Sequence, residues 1–105
     1  MIKIDLSVIK NQFRELLEAL NNSEVDKLEI DILIGVFAVS LRTHKEKLIR
    51  EAKKDKKLQI MNQKEINILK DIEEAFTAKM LSPLEDIKRS VEKSHNVFLQ
   101  HNIEP

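Results

Sequence analysis

The sequence predicts an all-α protein, a small antiparallel four-helix bundle with a long second helix. Three observations carry that prediction. The chain holds one Gly and two Pro, too few turn residues for the many corners of a β-sandwich or barrel. Its apolar residues recur at steps of three and four, the period of a helix with one buried stripe. The candidate connections are short, and short connections make neighbouring helices antiparallel. The expected helices run over about 6–21, 24–54, 63–81 and 83–101. With 105 residues, 42% of them hydrophobic, residues 1–105 suffice for a single domain with its own core.

In the first helix Leu6, Ile9, Phe13, Leu16, Leu17 and Leu20 make one stripe, with Lys10, Arg14, Glu15 and Glu18 off it. Asp5 or Ser7 is the expected cap. Asn21-Asn22 ends the helix, because Asn tolerates the left-handed conformation common after a helix C-terminus. Before it, residues 1–6 alternate apolar and polar. A minority reading pairs Ile2–Leu6 with Leu58–Met61 as a two-stranded ribbon, which is marginal unless helices cover it.

Ser23-Glu24-Val25-Asp26 resembles a capping box with an acid-rich first turn. In the second helix Val25, Leu28, Ile32, Val36 and Val39 form one apolar face, and Ile30, Ile34, Phe37 and Leu41 another. Residues 32–41 carry no charge in a chain that is 34% charged. A helix apolar all round is a buried helix, so this stretch is expected to be the central rod. After Leu41 nothing breaks the helix, and Glu46 and Arg50 make a favourable i,i+4 pair. Lys53–Lys57 reads as a frayed end or connection.

Asn62 with Glu65 repeats the capping pattern and opens the third helix, which turns Ile66, Leu69, Ile72, Phe76 and Met80 inward. Ser82-Pro83-Leu84-Glu85 then reads as a fresh start, with Ser as cap and Pro in the first turn. The stripe nevertheless runs on through Leu84, Ile87, Val91, His95 and Phe98. Either the chain turns back at Ser82 or one helix is kinked there; the break is preferred. Residues 102–105 are expected to fray.

Few chemistries can be written with these residues. The absence of Cys removes disulfides, thiolate metal sites and a thiol nucleophile. His95 and His101 are six apart, about 120° round a helix, where a zinc pair needs a spacing of four. His95 falls on the apolar stripe and reads as a core residue. Glu92 and His95 have the Glu-x-x-His spacing of di-iron bundles, but it occurs once in the chain, where such a site needs it on two facing helices. A single Gly cannot build a phosphate loop. The expectation is a protein that is not an enzyme and needs no cofactor or metal.

Net charge is zero, so no global field draws the chain to nucleic acid or membrane. The uncharged stretch of ten residues falls short of the roughly 20 needed to span a bilayer. No signal peptide is legible, and a cytoplasmic location is the default. One segment has a partner's signature: residues 42–57 hold eight Lys or Arg against three acids. Arg42, Lys45, Arg50, Lys53, Lys54, Lys56 and Lys57 form a candidate basic patch for phosphates or an acidic protein surface. Against nucleic acid stand the interspersed acids and the lack of aromatics.

Gly35 interrupts the most apolar stretch, at a cost of about 1 kcal/mol relative to Ala, and invites the close approach of another helix. If the second helix outreaches its neighbours, an apolar flank around Leu41, Leu48 and Ile49 is left bare. The candidate interface is therefore Gly35, Phe37, Leu41, Leu48 and Ile49. The expected function is a protein-binding module of adaptor, chaperone or regulator type that associates with itself. Two alternatives stand beside it. One is a nucleic-acid-associated regulator using 42–57. The other is an inhibitor or immunity-type protein that blocks a toxin or receptor, by fold-level analogy with small bacterial bundles.

Overall fold

The structure, a computed structural model, describes residues 6–105. Four helices follow one another: α1 (Ser7–Leu20), α2 (Lys27–Lys54), α3 (Lys56–Ala75) and α4 (Leu84–Gln100). No strand occurs among the described residues. Leu58–Met61 lies inside α3, so the ribbon reading has lost one of its strands. Its other strand and the Asp5 cap involve residues 1–5, outside the described residues.

The helices form the expected antiparallel four-helix bundle, joined by a cluster of rings. Phe13 of α1 lies 5.3 Å from Phe37 of α2 and 4.7 Å from Phe98 of α4. Phe37 meets Phe76, just past α3, edge-on at 4.8 Å. Such pairs add roughly 0.5–1.5 kcal/mol each to the burial of their area. Around them Ile9, Leu16, Ile34, Leu41, Leu69, Ile72 and Ile87 are closed off from solvent.

The long second helix is confirmed, and it sets the shape. At 28 residues α2 is about 42 Å long, and the molecule measures 47 × 23 × 19 Å. With 14 and 17 residues, α1 and α4 reach only about 21 and 26 Å. The α2–α3 hairpin therefore runs on past them to a tip at Asp55, the one residue between the two helices.

Several boundaries differ from the sequence expectation, each for a local reason. α3 begins at Lys56 rather than near 63, because Asp55 takes extended backbone and its carboxylate accepts the Lys57 N–H at 2.9 Å. Lys53–Lys57 is thus a single-residue corner rather than a frayed connection, and Asn62 is a buried mid-helix residue rather than a cap. α2 begins at Lys27, since the Ser23 region forms a turn in which Asn22 Oδ1 accepts the Glu24 N–H at 3.0 Å. Asn21 ends α1 with its side chain, donating to the Leu17 carbonyl at 3.1 Å, and its φ of −94° is not left-handed.

α3 ends at Ala75, not 81. At Phe76 (φ −87°, ψ 83°) the chain makes a tight turn, with the Thr77 N–H donating to the Ala75 carbonyl at 3.1 Å, and from there it buries Phe76 and Ala78 and exposes Thr77 and Lys79. The Ala78 N–H donates to the buried Ser90 Oγ at 3.0 Å. Met80, expected to point inward, is 53% exposed. The break between the last two helices is real, but Pro83 itself is the N-cap of α4. Ser82 Oγ instead accepts the Lys79 N–H at 3.0 Å, closing the corner. At the far end Asn102 is left-handed, and the N–H groups of Asn102 and Ile103 donate to the carbonyls of Leu99 and Phe98. That pair of bonds is a Schellman motif. Ile103 packs on the core, so the expected frayed tail is fastened at its start.

Candidate functional site

The sequence gives α2 two apolar faces, and the fold covers only one. Ile30, Ile34, Phe37, Leu41 and Leu48 are buried against the other helices. Leu28, Ile32, Val36 and Val39 face outward, 66%, 50%, 45% and 52% exposed. The expectation of a rod surrounded on all sides is corrected accordingly: α1, α3 and α4 close round one side of it and leave the opposite stripe bare.

This stripe borders the segment between α3 and α4. Met80 lies across Gly35, where an added Cβ would stand 3.0 Å from its sulfur. Gly35 therefore admits the Met80 side chain rather than a helix of the same chain. Ile32, Gly35, Val36, Val39, Ser40 and Met80 line a shallow depression of about 450 Å³ without a single charged side chain. One residue on, Leu81 holds a φ of 71° with its side chain 83% exposed. Left-handed backbone costs a branched L-residue about 1–2 kcal/mol.

An ion pair pins this corner. Asp31, 3% exposed, accepts from Lys27 Nζ at 2.6 Å. That hydrogen bond, with the Leu81 backbone amide and the Lys27 charge, outweighs burial and holds its carboxyl below the ordinary 3.8. Asp31 thereby ties the start of α2 to the turn that carries Met80 and Leu81.

The sequence-predicted interface residues divide. Gly35 belongs to the bare face. Phe37, Leu41 and Leu48 are 0%, 1% and 3% exposed, core residues that offer no surface. Ile49 is half-buried and packs on the core. The expected bare flank is covered because α3 starts seven residues earlier than foreseen and accompanies α2 to its end.

The basic run lies at and below the hairpin tip. Arg42, Arg50, Lys53, Lys54, Lys56 and Lys57 are exposed. Lys45 is not part of a free patch, since its Nζ lies 2.7 Å from Glu73 Oε1 of α3. Near the tip a cleft of about 600 Å³ opens between α2 and α3. Lys53, Lys54, Lys56 and Lys70 edge it, with Ile49, Ala52 and Ile66 among its apolar lining. Lys70 was not singled out from the sequence. Its only signal is the antiparallel α2–α3 pairing, which sets it beside residues far away in the chain.

Two of the three histidines take structural places. His95 lies 6.0 Å from the Phe13 ring, and His101 Nε2 is 3.0 Å from Asp71 Oδ2, joining the end of α4 to α3. Among the described residues no three His, Asp or Glu side chains are grouped to hold a metal ion. No helix there is long and apolar enough to cross a membrane. No protein-family model matches this chain, nor does any curated protein or solved structure.

Proposed function

We propose that this chain is a non-enzymatic protein-binding module that pairs with a second copy of itself through the bare face of α2. The observation that supports this reading is the uncharged stripe Leu28, Ile32, Val36 and Val39, extended sideways by Met80. Exposed apolar patches of this kind mark interaction sites.

A second copy fits the stripe for two reasons. With no charge on either copy, nothing in the stripe repels itself. A two-fold axis passing between Gly35 and Val36 also sets apolar against apolar at the centre of the stripe. An antiparallel pairing of two α2 helices around a two-fold axis sets Ile32 of one copy near Val39 of the other, and the depression at Gly35 near Val36. Such an isologous contact is the commonest route to a dimer.

The magnitudes place its strength. Full burial of a large aliphatic side chain is worth about 1.5–3 kcal/mol, so five half-exposed ones on each copy offer roughly 8–15 kcal/mol. Association itself costs about 4–15 kcal/mol. The surplus is a few kcal/mol, so the expected dimer is weak, with a dissociation constant of roughly micromolar to millimolar.

Sedimentation equilibrium over a concentration series tests this. The natural chain is expected to pass from monomer to dimer, and Ile32→Lys with Val36→Lys to stay monomeric with its helical circular dichroism intact. A natural chain that is monomeric throughout, or a double variant that dimerises equally well, overturns the reading.

A further inference from the structure

At the other end of the molecule, far from the α2 stripe, we infer that the cleft at the α2–α3 tip binds an acidic amphipathic segment of a partner protein. Its volume of about 600 Å³ lies within the roughly 300–1,000 Å³ of sites that hold a bound group. What it offers is a mixture of two chemistries. Ile49, Ala52 and Ile66 supply apolar contact, and Lys53, Lys54, Lys56 and Lys70 supply ammonium groups along the edge. Gln59 and Gln63 add carboxamides that can both donate and accept.

The charge is uncompensated. The ion pairs of the described residues engage Lys27, Lys45, Arg89 and His101, and none of the four cleft lysines. Asp55 is the single acid lining the cleft, and it is engaged with the backbone N–H of Lys57. Four cations against one anion leave an excess of positive potential over an apolar floor. The complementary ligand has carboxylates spaced about an aliphatic side chain, which is an acidic amphipathic peptide.

Nucleic acid fits less well. All four Phe of the chain lie in other parts of the structure, leaving no ring in the cleft for a base to stack on. Three of the lysines gather at the corner and Lys70 stands alone about 21 Å along α3 from Lys56, which is not the continuous track that a phosphate backbone follows.

Isothermal titration of the full chain decides it, with a short synthetic peptide of glutamates flanking leucines, a polyglutamate peptide of equal length and a single-stranded oligonucleotide. The amphipathic peptide is expected to bind more tightly than the other two and to weaken as salt rises. Replacing Lys53, Lys54, Lys56 and Lys70 by Gln, all exposed and harmless to the helices, is expected to weaken it roughly tenfold. Ala52→Glu, which puts a carboxylate on the floor, is expected to weaken it too. Unchanged affinity in the lysine variant, tighter binding of the oligonucleotide, or no binding of the amphipathic peptide overturns the inference. The Ile32→Lys and Val36→Lys variant serves as a control, because peptide binding at the tip is expected to survive loss of the dimer.

Discussion

At the scale of single residues, Asp31 carries the most consequence for its size. It is a buried carboxylate whose charge is held by Lys27, and its folded pKa lies below the ordinary 3.8. A depressed carboxylate pKa means that the unfolded chain takes up its proton first as pH falls. The stabilisation from Asp31 is therefore complete above about pH 4 and is lost as pH drops through the lowered folded value. Urea denaturation of the natural chain and Asp31→Asn between pH 7 and pH 2 checks this. The Asn variant is expected to be the less stable at pH 7, with the gap narrowing below pH 4. A gap that stays constant over the whole range would show that the charge contributes nothing. The sequence placed Asp31 within an apolar helix but gave no sign of its partner, because the Leu81 amide reaches it from fifty residues away. Lys27 stands four residues earlier, a spacing that brings two side chains together on one helix face.

At the scale of elements, the difficulty lies in the ends rather than the interiors. α1 and α4 were legible almost to the residue, since each has one apolar stripe and one polar face. α2 was legible in extent but not in orientation: both of its faces are apolar, so periodicity alone could not tell which one the bundle covers. α3 was displaced because two N-terminal signals compete. Asn62 with Glu65 resembles a capping box, yet Asp55 one turn and more upstream makes the actual cap. The end of α3 was missed because Phe76 continues the helical stripe and is buried, yet sits at the cap where the backbone leaves the helix. The consequence falls on Asn62, which sits 1% exposed inside the hairpin with its Nδ2 lacking a protein partner. An unsatisfied buried amide costs about 1–3 kcal/mol. Asn62→Leu is therefore expected to raise the stability of the chain by roughly 1–2 kcal/mol, or by several degrees in Tm, in thermal denaturation. The natural residue has a compensating use, since one buried polar side chain can fix the register of two packed helices. A fall in stability on this replacement would mean that the amide is satisfied in solution.

At the scale of the whole molecule, the core is unevenly distributed along the 47 Å axis. Around Phe13, Phe37, Phe76 and Phe98 all four helices contribute, and Ile34, Leu41 and Leu69 are shut away from water. Beyond Leu48 and Ile66 the two remaining helices enclose little except Asn62, and the tip is a corner of exposed lysines. Both proposed surfaces follow from this division: a rigid apolar stripe beside the ring cluster, and a charged cleft on the thinner arm. Local opening costs least where few apolar contacts must be broken. Amide hydrogen exchange is therefore expected to be slowest at 30–41, and orders of magnitude faster at 50–60. Raising the protein concentration is expected to slow exchange further at 28–43, where the second copy docks, and to leave 50–60 unchanged. Adding the acidic amphipathic peptide is expected to do the reverse. Uniform protection from Lys27 to Ala75 would instead make the hairpin and the ring cluster a single cooperative unit, and the tip would then be as rigid as the bundle that supports it.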